Sequence, residues 1–96
     1  MDKPRVLKDY ESLDDSVVEL IKLHYHEGFE QHLLKILSNN KKYVSVLPFE
    51  TDDKHYLIRM TSLEARELIE EDDDYDEFGN LKDYIKEEYE EKHADD

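Results

Sequence analysis

A chain of 96 residues with a formal charge of −14 and no cysteine fits one small domain, residues 1–96. Such a domain buries only about 60–65% of its unfolded surface, so a large interior substrate cavity is not expected. Disulfides and thiolate metal sites are excluded outright, which points to a reducing, cytoplasmic setting. Charged residues make up 42%, apolar residues 38%, and the mean hydropathy is −0.94; no apolar run is long enough for a signal peptide or a membrane span.

Residues 1–11 lack a periodic apolar pattern and are expected to form an N-terminal arm. Ser12-Leu13-Asp14-Asp15 resembles a helix start, with a hydroxyl near the first-turn amides and acids at the positive end of the dipole. Leu13, Val17, Leu20, Ile21 and His24 then fall on one face of a 3.6-period helix, which Gly28 can close with a left-handed residue. Residues 29–37 (FEQHLLKIL) fit both helical spacing and alternation. Because an isolated hairpin is marginal in water, they are assigned as a strand joined to the next by Ser38-Asn39-Asn40-Lys41.

Tyr43–Phe49 and His55–Thr61 are rich in β-branched and aromatic residues and are separated by a polar connector of hairpin length. Pro48 cannot donate to a ladder, so pairing should weaken there, through a bulge or a strand end. Thr61-Ser62-Leu63-Glu64 matches a capping box and opens a helix to about residue 71. Residues 72–80 form an acidic hinge, and Leu81, Tyr84, Ile85 and Tyr89 give residues 81–96 a helical stripe that frays into the C-terminal tail. The expected fold is therefore α+β: an N-terminal helix, a three-stranded antiparallel meander and two C-terminal acidic helices, with residues 12–71 as the helix, sheet and helix unit. The run VSVLPFETDDKHYLIRMT followed by an acidic helix resembles short, acidic, uncharacterised bacterial proteins over residues 44–80, a resemblance that implies no activity.

The charge is unevenly distributed. Residues 1–61 hold eleven Asp/Glu against nine Lys/Arg, whereas residues 62–96 hold sixteen against four, a balance of −12. That sign disfavours direct nucleic-acid binding and an anionic membrane surface. It suits a basic protein surface, for which Asp72, Asp73, Asp74, Tyr75 and Asp76 are the candidate contacts, with Tyr75 expected as an exposed aromatic in an acidic loop.

The same stretch partly matches a calcium loop. Setting Gly79 at the glycine turn places Asp74 first and Asp76 third but leaves Phe78 and Ile85 where oxygen ligands are needed. Starting at Asp72 collects Asp72, Asp74, Asp76 and Asp83 but puts Glu77 at the turn. A weak divalent-cation site through residues 72–83 is the most this pattern supports. His24 and His26 lie about 200° apart on a helix and do not converge, even with Glu27, Glu30 and His32 nearby. No nucleophile elbow, phosphate loop or H-E-x-x-H helix is present, and no cofactor is implied. The expected role is a non-catalytic interaction or accessory protein. The alternatives are an acidic, DNA-mimic-like binder of a basic or nucleic-acid-binding protein, and the cation binder. In the expected accessory role the acids form a solvated face and the sheet is the contact surface.

Overall fold

The computed structural model describes residues 3–94; Met1 and Asp2 of the expected arm and Asp95 and Asp96 of the expected tail lie outside the described residues. The elements in chain order are β1 (Arg5–Asp9), a 3-10 turn (Tyr10–Ser12), α1 (Asp15–His24), a second 3-10 turn (Glu30–His32), β2 (Leu34–Leu37), β3 (Tyr43–Glu50), β4 (His55–Arg59), α2 (Ser62–Glu70) and α3 (Asp83–Lys92). The four strands form one mixed sheet in the order β1-β4-β3-β2.

This corrects the expected three-stranded antiparallel meander. β2, β3 and β4 do pair antiparallel in sequence order, but β1 adds a fourth strand parallel to β4, with Arg5 opposite His55 and Asp9 opposite Arg59. Five residues with only Val6 and Leu7 apolar carry little strand signal of their own. Their pairing is fixed by the β4 edge, where the His55 amide donates to the Pro4 carbonyl at 2.9 Å, and by Lys3, which reaches Glu50 at 2.6 Å and the Thr51 carbonyl at 2.8 Å. The ambiguous stretch 29–37 divides, giving a 3-10 turn first and a strand only over its last four residues.

Pro48 does not interrupt β3. The odd-numbered residues of this strand bond to β4: the Met60 amide donates to the Ser45 carbonyl at 3.2 Å and the Thr51 amide to the Lys54 carbonyl at 2.9 Å. The Pro48 nitrogen therefore faces the β2 side, and β2 ends opposite Val46. The β3–β4 ladder therefore runs on through Pro48, while the β2–β3 ladder ends just before it, the strand-end form of the expected weakening.

α1 and α2 pack on one face of the sheet, and α3 packs against α1, with Ile85 partly buried against the same core. Leu47, Ile58 and Met60 project from that face against Ile21 and Tyr25 of α1, Ala65 and Ile69 of α2, Phe29, and Tyr75 and Leu81 of the connector between α2 and α3. Ile21, Phe29, Leu47 and Ile58 are fully buried, each worth about 1.5–3 kcal/mol of hydrophobic stabilisation. The capping box expected at α2 is complete: the Glu64 amide donates to Thr61 Oγ1 at 3.1 Å and the Thr61 amide to Glu64 Oε1 at 3.0 Å. Among the described residues no helix is long and apolar enough to cross a membrane.

Candidate functional site

The acidic stretch folds around a lysine. Lys22, in the last turn of α1, is only 8% exposed. Its ammonium donates to Asp74 Oδ2 at 3.0 Å and forms a shorter ion pair with Asp72. Burial opposes the charge on Lys22, but the hydrogen bonds to Asp72 and Asp74 outweigh it and hold its pKa above the ordinary lysine value. Burial would likewise raise Asp74; donation from Tyr89 and Lys22 outweighs that, and its carboxyl lies below the usual range. Desolvation pushes Tyr10, beside this cluster, up to about 12, and raises Tyr75 and Tyr89 above the ordinary phenol value.

The rest of the turn is built from backbone. Asp72 Oδ1 accepts from the Asp74 amide at 2.9 Å, and Asp76 Oδ1 accepts from the amides of Phe78 and Asn80 at 2.9 and 3.0 Å. Such side-chain-to-backbone bonds are what Asp offers in a turn. Gly79, at φ 81°, supplies the left-handed residue before Leu81, whose amide donates to the His26 carbonyl at 2.7 Å. The expected hinge is thus fastened to the end of α1.

Of the sequence-predicted contacts, only Asp73 is exposed. Asp72 and Asp74 turn toward Lys22, and Asp76 is half-buried over its own turn. Tyr75, expected to be exposed, is 5% exposed; its hydroxyl donates to the Tyr25 carbonyl at 3.1 Å and its ring meets Phe29 edge-on at 6.1 Å. Asp83 lies exposed at the start of α3. His24 and His32 stand against the ring of Tyr25 at 4.6 and 5.0 Å. Among the described residues no group of three or more His, Asp or Glu is placed to hold a metal ion. The buried lysine is what sequence reasoning missed. Its one local sign is a cation set directly beside Ile21 in the apolar stripe, but its partners lie some fifty positions downstream.

Two further surfaces remain. A solvent-open cleft of about 680 Å³ lies at the end of the β3–β4 hairpin, with His24, Phe49 and Tyr56 as walls. Lys3 already bonds Glu50 on its rim, and His55 Nε2 lies 3.7 Å from the same carboxylate. The second surface is the sheet face turned away from the helices. Register sets its side chains in four rows: Ile36 with Val44; Leu34, Val46, Arg59 and Asp9; Pro48, Leu57 and Leu7; and Glu50, His55 and Arg5. The first and third rows are apolar, and the second is half apolar and half charged. Val46 is fully buried beneath its neighbours, while Leu7 and Leu34 are 46% and 53% exposed. Arg59 Nε bonds Asp9 Oδ1 at 3.0 Å on the same face.

Comparison with protein-family models, with curated proteins and with solved structures returned no match.

Proposed function

We propose that the protein is a non-catalytic binding module whose contact surface is the open face of its sheet, and whose acidic helix layer is the solvated outer side. The observation that carries this reading is the placement of the helices on one side of the sheet, which leaves the other face, with the exposed Leu7 and Leu34 and the part-buried Ile36, Val44, Pro48 and Leu57, without a covering layer among the described residues. Uncovered apolar surface of this kind marks interaction sites in soluble domains. The internal use of Asp72, Asp74, Asp76 and Tyr75 adds support, because it removes most of the acidic turn from the surface offered to a partner.

A second reading rests on different residues from those of the turn. Glu64, Glu67, Glu70 and Glu71 are exposed along and just after α2, next to Asp73, and this array fits a basic protein surface, that of a nucleic-acid-binding protein included. A divalent cation at residues 72–83 would have to displace Lys22 from two carboxylates, which makes cation binding the weakest of the three.

Capture from lysate with three baits tests the choice. The sheet-face reading expects partners held by the wild type at moderate salt to be lost with Leu7→Glu/Leu34→Glu and kept with Glu67→Gln/Glu70→Gln/Glu71→Gln/Asp73→Asn. The reverse pattern, with capture lost on raising salt, would replace it with the acidic-surface reading.

A further inference from the structure

We propose that the outer edge of β2 is a docking site for an acidic, extended peptide segment of a partner protein, which joins the sheet as a fifth strand. The site is separate from the open sheet face and does not rest on it.

Charge marks this edge. Residues 31–49 hold three lysines and no carboxylate, the longest carboxylate-free run in the chain, while ten cations and all 27 carboxylates lie elsewhere, a balance of −17. That run contains β2 and all of β3 but Glu50, so this hairpin is the positively charged part of an acidic molecule. Lys35, Lys41 and Lys42 are exposed. Beside them stand Leu34, Leu37 and Tyr43, which are 53%, 60% and 74% exposed, with Leu37 directly opposite Tyr43. Lysines alone would make a solvated edge; apolar side chains left open among them make an interaction surface.

The backbone supplies the fit. β2 stands last in the sheet order, with no strand beyond it among the described residues. The Ser38 amide donates to the Lys42 carbonyl at 2.8 Å, and with Ile36 opposite Val44 and Leu34 opposite Val46 this phase turns the amides and carbonyls of Leu34 and Ile36 toward β3. Those of Lys35 and Leu37 point outward, at the spacing an added strand requires. Its side chains would fall alternately beside Lys35 on one face and beside Leu34 and Ile36 on the other. The matching peptide therefore alternates acidic with apolar residues.

The occupant follows from what this edge repels. A second copy pairing through the same edge would set its own Lys35, Lys41 and Lys42 against these, and like charges across neighbouring strands are destabilising. A nucleic-acid backbone also attracts lysines, but phosphates accept hydrogen bonds and donate none, so they leave the outward carbonyls of Lys35 and Leu37 unmet. An acidic peptide answers both the charge and the ladder. The acids elsewhere do not close the site to it: Glu50, at the far end of β3, stands about 23 Å from Tyr43, roughly three Debye lengths at ~0.15 M. Of the two carboxylates that share a shallow pocket with Tyr43, Asp9 is paired with Arg59 and Glu64 holds the Thr61 amide.

Amide NMR of the full chain tests this with an end-blocked peptide of about six residues in which Glu alternates with Val. Saturable shifts at Lys35 and Leu37 are expected below ~1 mM peptide, with solvent exchange of those two amides slowed at least ~10-fold. The amides of Leu34 and Ile36, already in the ladder, should change little. Lys35→Gln/Lys41→Gln/Lys42→Gln should weaken binding about tenfold, and a peptide with Lys in place of Glu should not bind. N-methylating every backbone amide of the acidic peptide removes its donors without altering its charge, and should abolish binding.

No saturable shift at ~1 mM peptide overturns the site. Equal binding of the methylated or the basic peptide overturns it as well, as do shifts confined to α2 and α3. An oligothymidylate that binds the wild type more tightly than the peptide, and is lost with the three glutamines, would replace the peptide with a phosphate backbone. The methylated and basic peptides are read on the wild type, so the answer holds whether or not the lysine variant keeps its hairpin.

Discussion

Lys22 sits where a cation already answers the negative end of a helix dipole, and it reaches Asp74 across 52 positions of the chain. Removing it in Lys22→Met keeps much of the volume but leaves Asp72 and Asp74 facing each other without a counter-ion. Their side chains are 20% and 22% exposed, so water relieves part of the penalty. The expected loss is about 1–3 kcal/mol, below the 3–5 kcal/mol of a fully buried broken pair. Urea denaturation measures it, and a further change to Asp72→Asn/Asp74→Asn should recover much of the loss; an unchanged midpoint in Lys22→Met would show the pair to be inert. This scale was the least legible in the sequence. The letters around Tyr75 are acids, so it looked exposed, whereas Phe29 and Tyr25, some fifty residues away, decide its burial. Asp74, Asp76 and Gly79 looked like remnants of an ion-binding loop because the same residue types also build tight turns.

Among the elements, α2 was legible because its start is written locally. Thr61→Ala removes one half of the capping box and should cost about 1 kcal/mol, read as a lower thermal midpoint with the same helical spectrum; no change would mean that Glu64 alone holds the helix start. β1 was not legible, since its two apolar residues become a strand only beside β4. The clamp joining α1, the acidic turn and α3 makes a prediction about alkali. Tyr10, Tyr75 and Tyr89 have raised pKa values in the fold, as has Lys22, against unfolded values of about 10 for Tyr and 10.4 for Lys. Groups raised in the fold favour it fully below the unfolded pKa and cease to do so as pH rises through the folded one. Stability should therefore fall steeply from about pH 10 toward pH 12, with the phenolate absorbance of these tyrosines appearing together with loss of helical circular dichroism. Complete tyrosine ionisation before any loss of structure would contradict the clamp. Depressed pKa values at Asp74 and Glu19 act at the other end, where stability present above about pH 4 is lost as pH falls through the folded values.

For the whole molecule, the charge asymmetry was visible in composition, and the fold gives it a direction by placing the described part of the acidic third, residues 62–94, on the helix side of the sheet. Carboxylates crowded there repel, apart from those paired with Lys22, Arg66 with Glu30, and Lys92 and His93 with Glu19. Raising ionic strength from very low values to ~0.15 M should increase the melting temperature; a flat response would mean that the exposed acids of α2 and α3 are already neutralised. The open sheet face could not be read from the sequence, because alternation along β3 and β4 shows two partly apolar faces and only the placement of the helices tells which one is covered.

Hydroxyl-radical footprinting of the full chain, in buffer at low concentration and again in concentrated cell extract, tests that placement together with the function assigned to it. The sheet-face account expects protection in extract at Leu7, Leu34 and Leu57, with Phe78 and Tyr84 labelled equally in both. Protection at Phe78 and Tyr84 with the sheet leucines unchanged would contradict it.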